Sequence, residues 1–222
     1  MPSLTEAETL PAHDLELTLT AYHEAGHVVG YLRCKERRIL SATIIRDGLS
    51  LGCVDSIDHL LVRKNGDFAR LPGKEAQKRM QAILIGPLAE QKYQGKPIPH
   101  DWPGICRLWD AHPVEINQLT AMIRLLYPHA WREHLTFLFR LVESDLHKPA
   151  IWHAIRVIAD GLLECQTIRH HCTCRMLYDQ AIADEVGQKD LLPSWVAYQQ
   201  SNSEMYYPCR GHRQTSPPVA ED

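Results

Sequence analysis

Apolar positions recur at helical spacing through the run LELTLTAYHEAGHVVGYLRC, where Leu17, Ala21, Ala25, Val28, Val29 and Leu32 share one face. This predicts a first helix from about Leu15 to Cys34, with Asp14 placed to cap its N-terminus. The pattern then changes. KERRILSATIIRDGLSLGCVDSI carries two β-rich runs, Ile39 to Ile45 and Leu49 to Ile57, joined at Arg46-Asp47-Gly48, and predicts a hairpin. A polar connection leads to a second helical stretch, Lys74 to Tyr93, in which Ala76, Met80, Ile83, Leu84, Leu88 and Ala89 keep the period. Pro87 lies inside it and is expected to kink or break the helix, because proline removes one ladder donor. QGKPIPHDWPG reads as a loop. Further helices are expected over Pro113 to Leu126, Trp131 to Glu143, Pro149 to Cys165 and Cys174 to Val186.

The sum is a mainly α fold with a small β-hairpin. Residues 1–13 read as a loose lead-in, 14–200 as one domain and 201–222 as a disordered tail, and no internal repeat appears. Composition agrees: 45% hydrophobic and 23% charged residues are close to soluble-protein averages, so a packed core is expected. Lys and Arg number 24 against 27 Asp and Glu, which lacks the basic surplus of a dedicated nucleic-acid binder. No window approaches the run of about 18 apolar residues that a membrane span needs. The first residues show no basic segment followed by an apolar one, so a secretory signal pattern is missing. Seven scattered Cys suggest no disulfide framework and fit a reducing compartment, and a cytoplasmic address is expected.

The 13 His change the picture, because two of them fall in Tyr22-His23-Glu24-Ala25-Gly26-His27, an HExxH match inside the first helix. Residues four apart lie on one helical face, so His23 and His27 can aim two imidazoles at one Zn²⁺. Glu24 sits beside them as a general base, taking a proton from water at the ion and passing it to the leaving amine. The chemistry is peptide hydrolysis. The alternative is an amphipathic helix whose two imidazoles are only satisfied polar groups. The motif extends as HEAGHVVGYLR, with Gly30 at the metzincin glycine but Arg33 where that pattern needs a third His, so the metzincin reading fails. The third ligand must come from elsewhere, ordinarily a carboxylate on a second helix.

TAYHEAGHVVGYL resembles the zinc helix of the FtsH-type proteases, ATP-dependent membrane-linked peptidases whose helix typically reads AYHEAGH. SATIIRDGLSLGCV is similar to that family's isoleucine-rich strand, turn and second strand, and ILIGPLAEQKYQG to its Gly-x-x-Ala-Glu helix, here Gly86, Ala89 and Glu90. The three matches run in order over residues 20–95. The resemblance implies a zincin-like HExxH helix packed against a bundle of helices, and a third ligand from the start of a later helix. Val114-Glu115-Ile116-Asn117-Gln118-Leu119-Thr120, with Arg124 following, aligns with that helix and puts Glu115 where the family has aspartate. Asp110 and, less strongly, His112 compete for the role. The resemblance further implies that the strand near the zinc helix, Leu49 to Val54, binds an extended peptide by strand addition; an ordinary hairpin shielding the core is the rival.

The chain has no GxxxxGK[ST] phosphate loop, so it resembles a free-standing peptidase domain. Its expected partners are flexible or unfolded polypeptide substrates, with a separate unfoldase or self-association in support; neither nucleic acid nor a membrane span is expected. Two other functions stay open. One is a non-catalytic scaffold or regulatory module that keeps the zinc. The other is a binding protein built on Cys165, His170, His171, Cys172 and Cys174, whose spacing matches no finger pattern.

Overall fold

Helix α1 spans Ala12–Leu32. From Thr20 to Gly30 every residue is buried, so the second half of the helix is wrapped on all sides. Asp14 lies in the first turn instead of capping the helix, and Ala12 and His13 belong to α1 and not to a loose lead-in. The computed structural model describes residues 12–48 and 51–186. The rest of the expected lead-in, the expected tail, and Leu49 and Ser50 of the expected hairpin lie outside the described residues.

After α1 the chain forms β1 (Arg37–Thr43) and β2 (Cys53–Asp58), which pair antiparallel as expected, although the pairing stops at Thr43 and Cys53, further from Arg46-Asp47-Gly48 than the hairpin pattern predicts. A third strand joins them. The short β3 (Thr167–Arg169) pairs antiparallel with the other side of β1, giving the order β2-β1-β3. Two residues in the left-handed region, Gln166 at φ 58° and His170 at φ 71°, bracket β3 and turn the chain into and out of the sheet. Nothing in a three-residue run such as Thr-Ile-Arg distinguishes it from a connection; β1 makes it a strand.

The remaining described elements are helical: α2 (His59–Arg63), a 3₁₀ turn at Phe68–Arg70, α3 (Gly73–Tyr93), α4 (Trp102–Ala111), α5 (Pro113–Leu126), α6 (Trp131–Leu146), α7 (Pro149–Cys165) and α8 (His171–Val186). The expected polar connection thus contains α2, capped by Asp58, whose carboxylate accepts from the Leu60 and Leu61 amides at 3.1 and 3.0 Å. Trp102-Pro103-Gly104, expected in a loop, form the first turn of α4. Asp101 accepts from the Gly104 amide at 2.9 Å, and proline suits a first turn, where its missing N–H has no partner to lose. Helix α3 runs through Pro87 without a break. Its packing on α1, α5 and α6 outweighs the lost ladder bond.

Close approach of α1 and α3 depends on small residues. A Cβ on Gly26 would sit 2.8 Å from the Ile85 carbonyl oxygen, and one on Gly30 would sit 2.7 Å from Ala82 Cα. The two backbones therefore touch where HExxH faces α3. A buried knot anchors the other end of that contact. Arg79 of α3, 2% exposed, donates to both carboxylate oxygens of Asp58, to Glu75 at 2.8 Å and to the Lys35 carbonyl at 2.8 Å. These bonds join the end of β2, α3 and the α1–β1 connection. Around them the core runs from Ala21 and Val28 of α1 through Leu84 and Leu88 of α3 to Leu119, Phe139 and Ile155 of the later helices.

Candidate metal centre

The buried half of α1 presents His23, Glu24 and His27, at 8%, 6% and 7% exposure, toward α3 and the start of α5. The four-residue spacing brings the two His Nε2 atoms to 3.1 Å, and Glu115, in the first turn of α5, places Oε1 3.4 Å from His23 Nε2. One ligand atom from each of these residues lies within 4.8 Å of the others. Asp110 is exposed on α4 and is not among them. His112 caps the N-terminal end of α5 and belongs to a neighbouring group: its Nε2 is 3.7 Å from Glu90 Oε2, which in turn is 3.1 Å from His23 Nδ1.

Hydrogen-bond roles decide what this cluster asks for. His27 Nδ1 lies 2.9 Å from the Ala82 carbonyl oxygen, which only accepts, so Nδ1 holds the proton and the neutral ring's lone pair sits on Nε2. His23 Nδ1 donates in the same way to Glu90. Two nitrogen lone pairs and a carboxylate oxygen therefore point at one another, and only a cation between them removes the repulsion. Their spacing suits a small divalent ion: a tetrahedral ion with bonds of about 2.0–2.1 Å holds its ligands about 3.3 Å apart.

Without a metal, a proton takes that place. Burial works against charge on His23, but the carboxylates of Glu115 and Glu90 outweigh it and raise its pKa to about 9. Burial and the charge on His23 push His27 down to about 3, so the pair shares one proton. The hydrogen bond with His23 holds Glu115 well below the usual carboxylate range. Burial lifts Glu24 to about 7, with His23 opposing and the Glu115 and Glu90 charges adding to the rise.

The surroundings hold these groups in place. A Cβ at Gly86 would run into the His27 imidazole, so glycine is what lets α3 lie against the ring. Gly52, just before β2, covers Glu24: a Cβ there would be 2.8 Å from Glu24 Oε1. The Tyr31 ring stacks near His27 at 5.8 Å between centroids. Arg33, which occupies the metzincin third-ligand position, instead pairs with Asp145 of α6 at 2.8 Å.

Sequence reasoning did not assign Glu90 or the Ala82 carbonyl as supports of the two rings. Gly86 and Glu90 stand one turn apart in the Gly-x-x-Ala-Glu segment, which was the available signal; Ala82 offers none, since any residue has a carbonyl. The Cys/His set of α7 and α8 is not brought together. Among the described residues no group of three ligand atoms includes Cys165, His170, His171, Cys172 or Cys174. His171 Nδ1 accepts from the Ile39 amide, and burial pushes the Cys174 thiol up to about 12.

No protein-family model matches the chain, and no curated protein matches its sequence. Among the described residues, no helix is long and apolar enough to cross a membrane.

Proposed function

We propose that the protein is a zinc-dependent metalloendopeptidase in which His23, His27 and Glu115 hold the ion and Glu24 is the general base. One observation carries this reading: three acceptor atoms from α1 and α5 converge with both imidazoles already committed through Nδ1, leaving a place that a cation satisfies. That donor set, two His and one Glu around an open position, is a common zinc-hydrolase arrangement, and supports a zincin-like description of the α1 and α5 segments. When bound, zinc supplies a Lewis acid that polarises the scissile carbonyl and acidifies water.

The chain's own residues do the rest. Glu24 adjoins His23 and accepts the proton of the attacking water, then returns it to the leaving amine. Burial favours its neutral form, while a divalent charge nearby acts in the opposite sense, toward the ionised base. Glu90 and the Ala82 carbonyl hold the two rings in the tautomer that turns Nε2 inward. Strand β2 is at the edge of the sheet, and the segment leading into it lies on Glu24. A polypeptide added along that edge would pass the base in extended form. In this reading the substrates are flexible or unfolded segments, with a separate unfoldase or self-association in support, in a cytoplasmic setting.

Zinc content and casein cleavage measured together test this. Glu24→Gln is expected to keep about one zinc per chain and to lose cleavage by a factor of about 10² or more. Glu115→Ala should lose zinc and activity, while Asp110→Ala should keep both. Cleavage by Glu24→Gln, or zinc retained by Glu115→Ala and lost by Asp110→Ala, would overturn the assignment. Wild-type protein that holds zinc but cleaves nothing would support the scaffold reading instead.

A further inference from the structure

His23 faces a second set of ligand atoms through its other nitrogen. One atom from each of His23, Glu90 and His112 lies within 4.8 Å of the others, and the three residues come from α1, α3 and the turn between α4 and α5. Glu90 Oε2 is 3.1 Å from His23 Nδ1 and 3.7 Å from His112 Nε2. The longer separation is no hydrogen bond, and both lie near the roughly 3.3 Å between two ligands of one tetrahedral zinc ion. The His112 ring runs beside that of His23, 5.2 Å between centroids and tilted by 30°. Glu90 also lines a cavity of ≈ 250 Å³ together with Glu16, so a hydrated cation reaches it past a second carboxylate.

Charge balance asks for a further cation here. Glu24, Glu90 and Glu115 all act on the His23 ring, and one divalent ion at the inner set offsets only two of these carboxylates. A proton on His112 is a poor substitute. Burial and the charge on His23 hold its pKa down, with Glu90 and Glu115 opposing, and an inner ion acts in the same sense as the His23 charge. We infer that His23 Nδ1, Glu90 and His112 hold a second zinc ion when zinc is in excess, and that this ion inhibits the site. The binding is independent of the peptidase reading above; the inhibition rests on it. The second ion replaces the His23 Nδ1 proton, which leaves to solvent, and the ring then bridges two ions. A second divalent charge one ring away from Glu24 holds that carboxylate in its ionised form and weakens it as a base, so proton transfer from water slows.

The test is equilibrium dialysis of the full chain against rising zinc, with calorimetric titration in two buffers of different ionisation enthalpy. Wild type should bind a tight ion and then a weaker one, the weaker releasing about one proton as it binds. His112→Ala should keep the tight ion and take up one ion fewer than wild type in excess zinc. His112 makes no side-chain capping bond to α5, and His112→Asn, with a favoured N-cap residue, repeats the measurement should His112→Ala fail to fold. Excess zinc should slow wild-type casein cleavage by about tenfold or more and leave the His112 variants unaffected. Equal zinc uptake by wild type and the folded His112 variants overturns the outer site and leaves the peptidase reading intact. A second ion that binds without releasing a proton overturns the place of His23 in the set. An outer ion that leaves cleavage unchanged overturns the inhibition. Uptake that depends on His112 in a wild-type protein that cleaves nothing at any zinc level supports the outer site and overturns the peptidase reading.

Discussion

Helix α3 meets two buried clusters of charged groups three turns apart, at Arg79 and at Glu90. At the first, one guanidinium faces two carboxylates and two carbonyls, and every donor has an acceptor opposite it. At the second, Glu90 supports an imidazole whose other nitrogen faces a second imidazole and Glu115, so acceptors meet acceptors. Both clusters pay desolvation, but the first is matched by its own side chains, whereas the second takes up a proton or another cation to be matched. A buried arrangement left one positive charge short is what a binding site looks like before its ligand is counted, whereas a matched one holds the fold together. The Arg79 knot and the His23 cluster should therefore respond differently to mutation and to pH.

The largest expected effect is at the knot. Arg79→Ala leaves Asp58 and Glu75 buried without their partner and should cost about 3–5 kcal/mol in urea unfolding, with or without zinc. A loss under 1 kcal/mol would show that the knot is not a structural anchor. At the site, Glu90→Gln should weaken zinc binding about 10- to 100-fold in competition with a chelator, because a neutral amide supports the His23 ring less well than a carboxylate. Its effect on unfolding of the metal-free protein should be small beside that of Arg79→Ala. Equal affinity for zinc in Glu90→Gln and wild type would remove Glu90 from the site.

The pH effects run in opposite directions at the two clusters. Arg79 holds Asp58 below its ordinary pKa against the cost of burial, so that contribution is present above about pH 4 and is lost as pH falls through the folded-state value. His23 is raised to about 9, so in metal-free protein its contribution is complete below about pH 6.5, the unfolded value, and is lost as pH rises through 9. Chemical unfolding across pH should show an acid-side decline that Asp58→Asn lessens and an alkaline-side decline that His23→Gln lessens. Zinc should lessen the alkaline one as well, because the ion replaces the proton. An alkaline decline unchanged in His23→Gln would sink the proton-sharing account.

Much of this was legible in the chain. The helices Pro113–Leu126 and Pro149–Cys165 have the expected bounds because proline at a first turn and an apolar period mark them locally. His23 and His27 share a face because a helix has 3.6 residues per turn, a local fact. Glu115 is brought to them where Asp110 is not, although the two are five residues apart. What separates them is that α5, beyond the break that Pro113 marks, packs against α3, while Asp110 stays exposed on α4, and no local pattern encodes that packing. Strand β3 and the short α2 escaped because each is too brief to show a period.

The amino-acid order thus determined most of the longer elements and the motif, since both depend on neighbours within a turn or two. Only the tertiary structure decided which carboxylate faces the imidazoles and which groups fix their tautomers. Those relations join residues up to 92 positions apart, as His23 and Glu115 are. They exist because Gly26, Gly30 and Gly86 let two helices touch, and the energy of that contact lies in packing that no stretch of chain contains by itself.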